Sequence, residues 1–351
     1  AEQVKTAGNL EVHFIDVGQG DATLIKCDGH SMLIDAGNND KGTLVQNYLQ
    51  HQGVETLDYV IGTHPDADHI GGMDVVLYKF DCKTIIMPDV ANNTRTYDDV
   101  VQTMKNKGYK TTYPVVGETY TIGGAAFTII APNKEYGNDM NSWSVGVLLQ
   151  NGNHRFLFTG DAEEGAEQDI LQNGIDISAD VYKVAHHGSN TATSQAFLDA
   201  VHPTYAVISA GEGNSYGHPH AEVLNRLRAA GVSVFRTDEQ GTIVAASDGT
   251  TLTWNMSPSE SWQAGEAKKS QDTDKSEKST DSQNNAETDA AVSNPTDQTD
   301  GNSDVIVHIT KTGEKYHSAG CQYLRKSDIE VTLSEAKAKG LTPCSKCNPP
   351  Q

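Results

Sequence analysis

The chain of 351 residues holds no apolar run near the ~20 residues that a membrane-spanning helix needs, so no transmembrane segment is expected. Cysteine is scarce: five residues, with no spacing that suggests a disulfide framework. Cys27 and Cys82 lie in or beside strand-like apolar runs and read as small buried residues, whereas Cys321, Cys344 and Cys347 crowd toward the C-terminal end. Positive charge is also in deficit, with 26 Lys and Arg against 47 Asp and Glu, a net of −21. A field of that sign does not steer polyanions inward, which excludes a basic DNA-coating protein and leaves any nucleic-acid role to local groups or bound metal. Hydrophobic residues are 36% and aromatic residues 7% of the chain, too few for every segment to join a core.

That shortage is local. Residues 258–304 carry 11 acidic and 4 basic side chains, one Trp and no Phe or Tyr. Such a segment cannot bury enough apolar surface to offset the entropy of ordering it, so it is expected to be an acidic disordered linker. Residues 1–257 and 305–351 remain as folded units. The chain begins at Ala1 rather than Met, as after signal removal or trimming. With the Ser/Thr/Asn/Asp/Gln-rich linker, this suggests a secreted or extracellular bacterial protein whose signal sequence is absent, and a monomer.

Within 1–257, short runs rich in Val, Ile, Leu and Tyr predict strands at Leu10–Val17, Ala22–Cys27, Ser31–Ile34, Leu57–Gly62, Thr84–Met87, Ala126–Ile130, Val145–Gln150, Arg155–Phe158, Val181–Ala185 and Tyr205–Ser209. Amphipathic spacing predicts helices at 41–52, 96–107, 162–173, 194–201 and 220–230. The first strands are joined by turns and helices enter later. That order predicts an α/β (α+β) domain of two mixed sheets packed face to face, with helices outside.

The densest chemistry is Thr63-His64-Pro65-Asp66-Ala67-Asp68-His69-Ile70-Gly71-Gly72, in the loop that ends the strand Leu57–Gly62. Two imidazoles and two carboxylates in six residues form a metal-ligating set, and the carboxylates shift it toward harder ions such as Mn. The plainer reading, an acidic surface turn, fits a lone His-x-Asp better than four ligand types before a Gly pair. Asp161 follows the strand Arg155–Phe158 and suits either a helix N-cap or a metal ligand. His186 and His187 end another apolar strand, and the residues alone leave open which of them ligates metal. His218 sits in a third histidine-bearing loop, while His220 reads as a helix start. Asp16, Asp21 and Asp35 lie near the ends of the first strands. Asp35 suits either a turn or a carboxylate that orients a ligand histidine.

His-x-Asp-x-Asp-His-x-Gly-Gly resembles the signature of the metallo-β-lactamase superfamily, usually His-x-His-x-Asp-His, with Asp66 in place of the second His. Together with Phe14-Ile15-Asp16-Val17-Gly18-Gln19-Gly20-Asp21-Ala22, Leu33-Ile34-Asp35-Ala36-Gly37, Phe158-Thr159-Gly160-Asp161 and His186-His187-Gly188-Ser189, it is similar to the soluble hydrolase domain of ComEC-type DNA-uptake competence proteins over roughly residues 10–255. The resemblance implies an αβ/βα four-layer sandwich, two divalent ions (Zn or Mn) in a cleft, and hydrolysis. It implies His64 and Asp66 on one metal, Asp68 and His69 on the other, and Asp161 between them. His186 is assigned to metal, and His187, His218 and Asp68 to catalysis. The superfamily's third His is missing, and Asn141 in Asn141-Ser142-Trp143-Ser144 is its nearest counterpart, a supporting residue for a weaker first metal.

Residues 305–351 predict a strand at Val305–Thr310, a helix near Leu333–Lys339 and the ligand set His317, Cys321, Cys344 and Cys347. So small a unit needs a staple, and a tetrahedral His/Cys3 zinc site supplies one. The spacing resembles Ada-type zinc-binding modules, with His317 where that family has its first Cys. A balance of 7 bases to 4 acids suits a weak nucleic-acid or cell-wall contact.

The expected activity is phosphodiester hydrolysis by a two-metal activated-water mechanism, with DNA as substrate. The alternatives are a cell-wall (teichoic-acid phosphorylcholine) phosphodiesterase and a non-catalytic, metal-stabilised surface-binding protein.

Overall fold

The computed structural model describes residues 7–265, 306–310, 315–317, 324, 329–339 and 341–344. Its strands in the first part are β1 (Leu10–Phe14), β2 (Thr23–Cys27), β3 (His30–Ile34), β4 (Thr56–Ile61), β5 (Asp81–Ile86), β6 (Thr111–Thr112), β7 (Thr119–Ile122), β8 (Ala125–Ala131), β9 (Gly146–Asn151), β10 (His154–Phe158), β11 (Val181–Lys183), β12 (Tyr205–Ile208), β13 (Ser233–Arg236), β14 (Ile243–Ser247) and β15 (Leu252–Trp254). They form an eight-stranded sheet ordered β15-β14-β1-β2-β3-β4-β5-β6 and a seven-stranded sheet ordered β13-β12-β11-β10-β9-β8-β7. Both are mixed: hairpins such as β1–β2 are antiparallel, while β3–β4–β5–β6 and β10–β11–β12–β13 run parallel.

The helices are α1 (Gly42–His51), α2 (Ala67–Ile70), α3 (Met73–Lys79), α4 (Arg95–Lys107), α5 (Glu164–Gln172), α6 (Gln195–Val201), α7 (Ala221–Ala229) and α8 (Thr237–Gln240). Local chemistry sets their ends. Thr94 caps α4 through the Tyr97 N–H, and Gly108 closes it with φ +73°. Ser194 caps α6 through the Phe197 N–H. Spacing sets their buried faces: Val100 and Met104 on α4, and Val223, Leu224 and Leu227 on α7.

Three apolar layers follow. Phe14, Ile25, Met32, Phe127, Val147 and Phe156 fill the space between the sheets. Leu24, Leu33, Val45, Leu49, Val76 and Met104 pack α1, α3 and α4 on the outer face of the first sheet. Tyr182, Phe197, Ile208, Leu224 and Leu227 do the same for α6 and α7 on the second. The result is an αβ/βα sandwich of four layers. Central strands are buried on both faces, which is why Leu24-Ile25 in β2 and Met32-Leu33-Ile34 in β3 are consecutive apolar residues instead of alternating ones.

The packed unit extends past residue 257. The Ser259 N–H bonds the Val234 carbonyl, Trp262 packs on the second outer layer beneath the Arg228 guanidinium, and the Gly265 N–H bonds the Pro219 carbonyl. The remainder of the expected linker, 266–304, lies outside the described residues.

A second unit holds β16 (Ile306–Ile309), β17 (Lys315–His317), β18 (Ile329–Thr332), α9 (Leu333–Ala338) and β19 (Thr342–Pro343), with sheet order β18-β16-β17-β19. Its small core is Val307, Ile309, Tyr316, Val331, Leu333 and Ala336. Among the described residues of both units, no helix is long and apolar enough to cross a membrane.

Candidate metal centre

The loops at one end of both sheets converge on Asp161, which follows β10 and is almost fully buried. Its carboxylate lies 3.2 Å from His69 Nε2, 3.4 Å from His187 Nε2, 3.7 Å from His186 Nε2 and 4.0 Å from His64 Nε2. Each of these imidazoles is held by its other nitrogen. His69 Nδ1 is 2.8 Å from Asp35 Oδ2, and His187 Nδ1 is 3.0 Å from the Ser209 carbonyl. His64 Nδ1 lies 3.1 Å from Thr63 Oγ1 and 3.3 Å from Ser144 Oγ. His186 Nδ1 lies 3.2 Å from Thr191 Oγ1 and 3.3 Å from Glu163 Oε1. Fixing Nδ1 in this way aims Nε2 inward and sets the tautomer that a metal ligand needs.

Backbone shape does the rest. His69 sits on α2, where the Gly71-Gly72 pair lets the chain pass close by: a Cβ on Gly72 would stand 2.3 Å from the Ala36 carbonyl oxygen. Gly20, at φ +138°, would likewise place a Cβ 2.3 Å from the Asp68 carbonyl. Asp35, His186 and His187 have φ of +58°, +50° and +54°, left-handed values that are uncommon for residues with side chains. Two successive left-handed residues splay the histidine pair. His187 is buried in the cluster with Nε2 3.3 Å from Asp68 Oδ2, while His186 stands at the cavity wall with about a fifth of its side chain exposed.

The electrostatics are those of a site with too many ligand groups for its protons. Burial pushes the Asp161 pKa up, but His69 and His187 outweigh it and hold the carboxyl well below its ordinary range. Burial would also lower His187, yet Asp161, Asp68 and Asp21 raise it to about 10. His69 is raised well above the usual imidazole value by Asp161 and Asp35 against its burial. His64 goes the other way, to about 3, through burial and the nearby His69. Meanwhile Nε2 of His64, His69 and His187 and Oδ1 of Asp161 are buried without a hydrogen bond. Orphaned lone pairs of this kind are costly, and a divalent cation is the group that satisfies imidazole and carboxylate together. Among the described residues, Asp21, His69, Asp161 and His187 offer ligand atoms that all lie within 4.8 Å of one another. The donor set fits a metal.

Of the residues singled out in the sequence, His64, Asp66, Asp68, His69, Asp161, His186, His187 and His218 come together here. Asp66, Asp68, Asn141, Asp161, His186, His187 and His218 line one cavity of about 170 Å³ with Gln19 and Tyr216. Asp66 is at the rim, 39% exposed at its side chain and 3.7 Å from His64 Nε2. Asn141 reaches Glu163 at 3.3 Å, while Ser144 donates to or accepts from His64 and accepts the Asp161 N–H at 3.0 Å. Asp35 is fully buried, accepting from Thr63 N and Oγ1 as well as facing His69.

Sequence reasoning assigned no role to Lys183. It is buried at the end of β11 and pairs with Asp21 at 2.8 Å, and Asp21 lies 3.6 Å from His187 Nδ1. The visible signal was a lone charge inside the apolar run Val181–Ala185. In the second unit, Tyr316 pairs with Pro343 and its carbonyl accepts the Cys344 N–H at 2.9 Å, and His317 and Cys344 are both buried. Cys321 and Cys347 lie outside the described residues. Cys27 and Cys82 are buried free thiols, and burial pushes Cys82 up to about 12.

Residues 15–212 match the Metallo-beta-lactamase superfamily, and the chain belongs to it. Its fold is that of a superfamily generally made of metal-dependent hydrolases. Among curated proteins it is similar to ComE operon protein 3 of Bacillus subtilis, 31% identical over 255 residues, covering 66% of this chain and 32% of that protein. It is also similar to Recombination protein 2 of Haemophilus influenzae, 33% identical over 238 residues, covering 66% and 28%. The chain therefore spans about a third of the length of these relatives. Among solved structures, the metallo-beta-lactamase fold protein YhfI of Bacillus subtilis aligns at 13% identity and TM-score 0.46, over 70% of this chain and 99% of that one.

Proposed function

We propose that residues 7–265 form a two-metal phosphodiesterase that cleaves DNA. The observation that carries this reading is Asp161, one carboxylate with four imidazole Nε2 atoms within 4.0 Å, His69 at Oδ1 and His64, His186 and His187 at Oδ2. His69, His187 and Asp68 would hold one ion with Asp161, and His64 and Asp66 the other, with Asp161 shared. This exchanges the metal and acid roles that the sequence reading gave to His186 and His187, because His187 is buried with Nε2 3.4 Å from Asp161 while His186 stands at the cavity wall. Bound divalent ions supply Lewis acidity toward a phosphoryl oxygen and make water a better nucleophile. Competence and recombination relatives support DNA as the substrate.

The protein's own groups then divide the work. Asp35 and Ser209 fix the rings of His69 and His187. His186, oriented by Thr191 and Glu163 and open to the cavity, contacts the phosphate, accepts the proton that the attacking water gives up and passes it to the leaving oxygen. His218, held to about 4 by burial and by the neighbouring His187 and His186, is neutral near pH 7 and serves as a hydrogen-bonding wall. In the second unit we propose a zinc site on His317, Cys321, Cys344 and Cys347, supported by the burial of His317 and Cys344 and by the Cys344 N–H bond to the carbonyl of Tyr316, the residue before His317.

The test is hydrolysis of single-stranded DNA, double-stranded DNA and a phosphorylcholine ester by purified protein with added Mn²⁺ or Zn²⁺, beside Asp161→Ala. DNA cleavage lost in the variant supports the reading. Cleavage of the choline ester with DNA left intact establishes the cell-wall alternative instead. Metal binding without turnover of any substrate establishes the non-catalytic one.

A further inference from the structure

We propose that Tyr216 is a stacking platform for a nucleobase next to the cleaved linkage, so that the site takes a single strand or a frayed end and not an intact duplex. The proposal rests on the DNA-cleaving reading above. Tyr216 is 63% exposed, yet it lines the same cavity as Asp66, Asp68 and Asp161. Its ring lies nearly parallel to His218, 5.5 Å between centroids at 19°, so one face is backed while most of the residue stays open to solvent. The backing is itself braced, since His218 is 5% exposed and meets the ring of His220 edge-on at 4.9 Å.

The loop is built to stay in place. Asn214 Oδ1 accepts from the Tyr216 and His218 N–H groups, both at 3.1 Å, and its Nδ2 donates to the Gly211 and His218 carbonyls at 2.9 and 2.6 Å. From behind, the Gly265 N–H bonds the Pro219 carbonyl, and a Cβ on Gly265 would stand 2.1 Å from the His218 oxygen. An aromatic face already held rigid loses little entropy when a flat ring settles on it. Tyr78 and Tyr113, also exposed, do not line this cavity.

A base within a duplex has both faces covered by its neighbours, so only an unstacked base can use such a platform. Residues 1–257 carry 32 acids against 15 bases, which gives a nucleic-acid strand of either kind no electrostatic hold and leaves stacking as the sequence-tolerant grip.

The experiment compares kcat/KM on two single-stranded oligonucleotides, one intact and one with abasic sites flanking the cleaved linkages, in Mn²⁺. Wild type should favour the intact strand by about tenfold, the scale of one base–aromatic stack. Tyr216→Leu should bring that ratio near unity, and Tyr216→Phe should preserve it. An unchanged ratio in Tyr216→Leu overturns the platform, whatever the variant's absolute rate. A wild type that cleaves neither strand overturns the nuclease reading instead. Fluorescent aminopurine oligonucleotides then read stacking directly: quenching lost in Tyr216→Leu supports the platform, and absence of quenching in wild type overturns it.

Discussion

The two sides of Asp161 are built differently. On the deep side, His69 and His187 are fully buried, Asp68 faces His187, and Asp35, Asp21 and Lys183 stand behind them. On the shallow side, His64 is buried, but its carboxylate partner Asp66 is at the rim and Ser144 bonds its other nitrogen. One carboxylate thus joins a pre-organised ligand pocket to a more open one. With an ion on each side, as proposed, symmetry of ligand count should not give symmetry of affinity. Rigidity behind the ligands decides how much binding energy survives.

The harshest test of that contrast is its shared member. Asp161→Asn should cut phosphodiester turnover by well over the roughly hundredfold typical of losing a supporting group, because both sides lose a ligand at once. Activity within tenfold of wild type would reduce Asp161 to a loop-shaping residue. Next is the support behind the deep side. Lys183→Met leaves Asp21 buried without its cation and should cost about 3–5 kcal/mol in urea unfolding. The double variant Asp21→Asn/Lys183→Met should recover a large part of that loss, and additive losses would show that the pair is not coupled.

Metal titration by calorimetry should resolve two events in residues 7–265 differing at least about tenfold in affinity, the scale by which supporting groups tune a site. Two equal sites would erase the contrast. Asp66→His should narrow the gap by strengthening the shallow side for Zn²⁺ relative to Mn²⁺, and an unchanged metal preference would contradict the ligand-hardness argument. The smallest effect belongs to Ser144→Ala, which removes the acceptor of the Asp161 N–H and should cost about 1 kcal/mol of stability.

Much of the frame was legible in the sequence because its signals are local. The runs Thr23–Cys27, Thr56–Ile61 and Tyr205–Ile208 and the helices Gly42–His51 and Arg95–Lys107 lie within a residue or two of their predicted spans. The strands Ser233–Arg236, Ile243–Ser247 and Leu252–Trp254 were not predicted: Ile243–Ser247 is held by the distant β1 and in turn holds the three-residue Leu252–Trp254 through a hairpin, while Ser233–Arg236 is placed by its pairing with β12. At the site, the His64-to-His69 cluster announces itself through spacing. The division of labour between His186 and His187 does not, since it depends on two left-handed φ values that nothing in His-His-Gly dictates. The Asp21–Lys183 pair is hidden for another reason: its partners come from different sheets and meet only when the sandwich closes.

That closure has a consequence for how the chain is made. Strand β1 pairs with β2 immediately, but its other edge is covered by β14, where Phe14 faces Ile243 and Leu10 faces Ser247. Until β14 has left the ribosome, the first sheet presents a bare edge of apolar strand, the kind of surface that recruits other chains. All the proposed ligands of the cleft are synthesised before that point. A fragment ending after His218 would therefore own every one of these ligands and still aggregate, and soluble expression should begin only once the chain includes Ile243–Ser247.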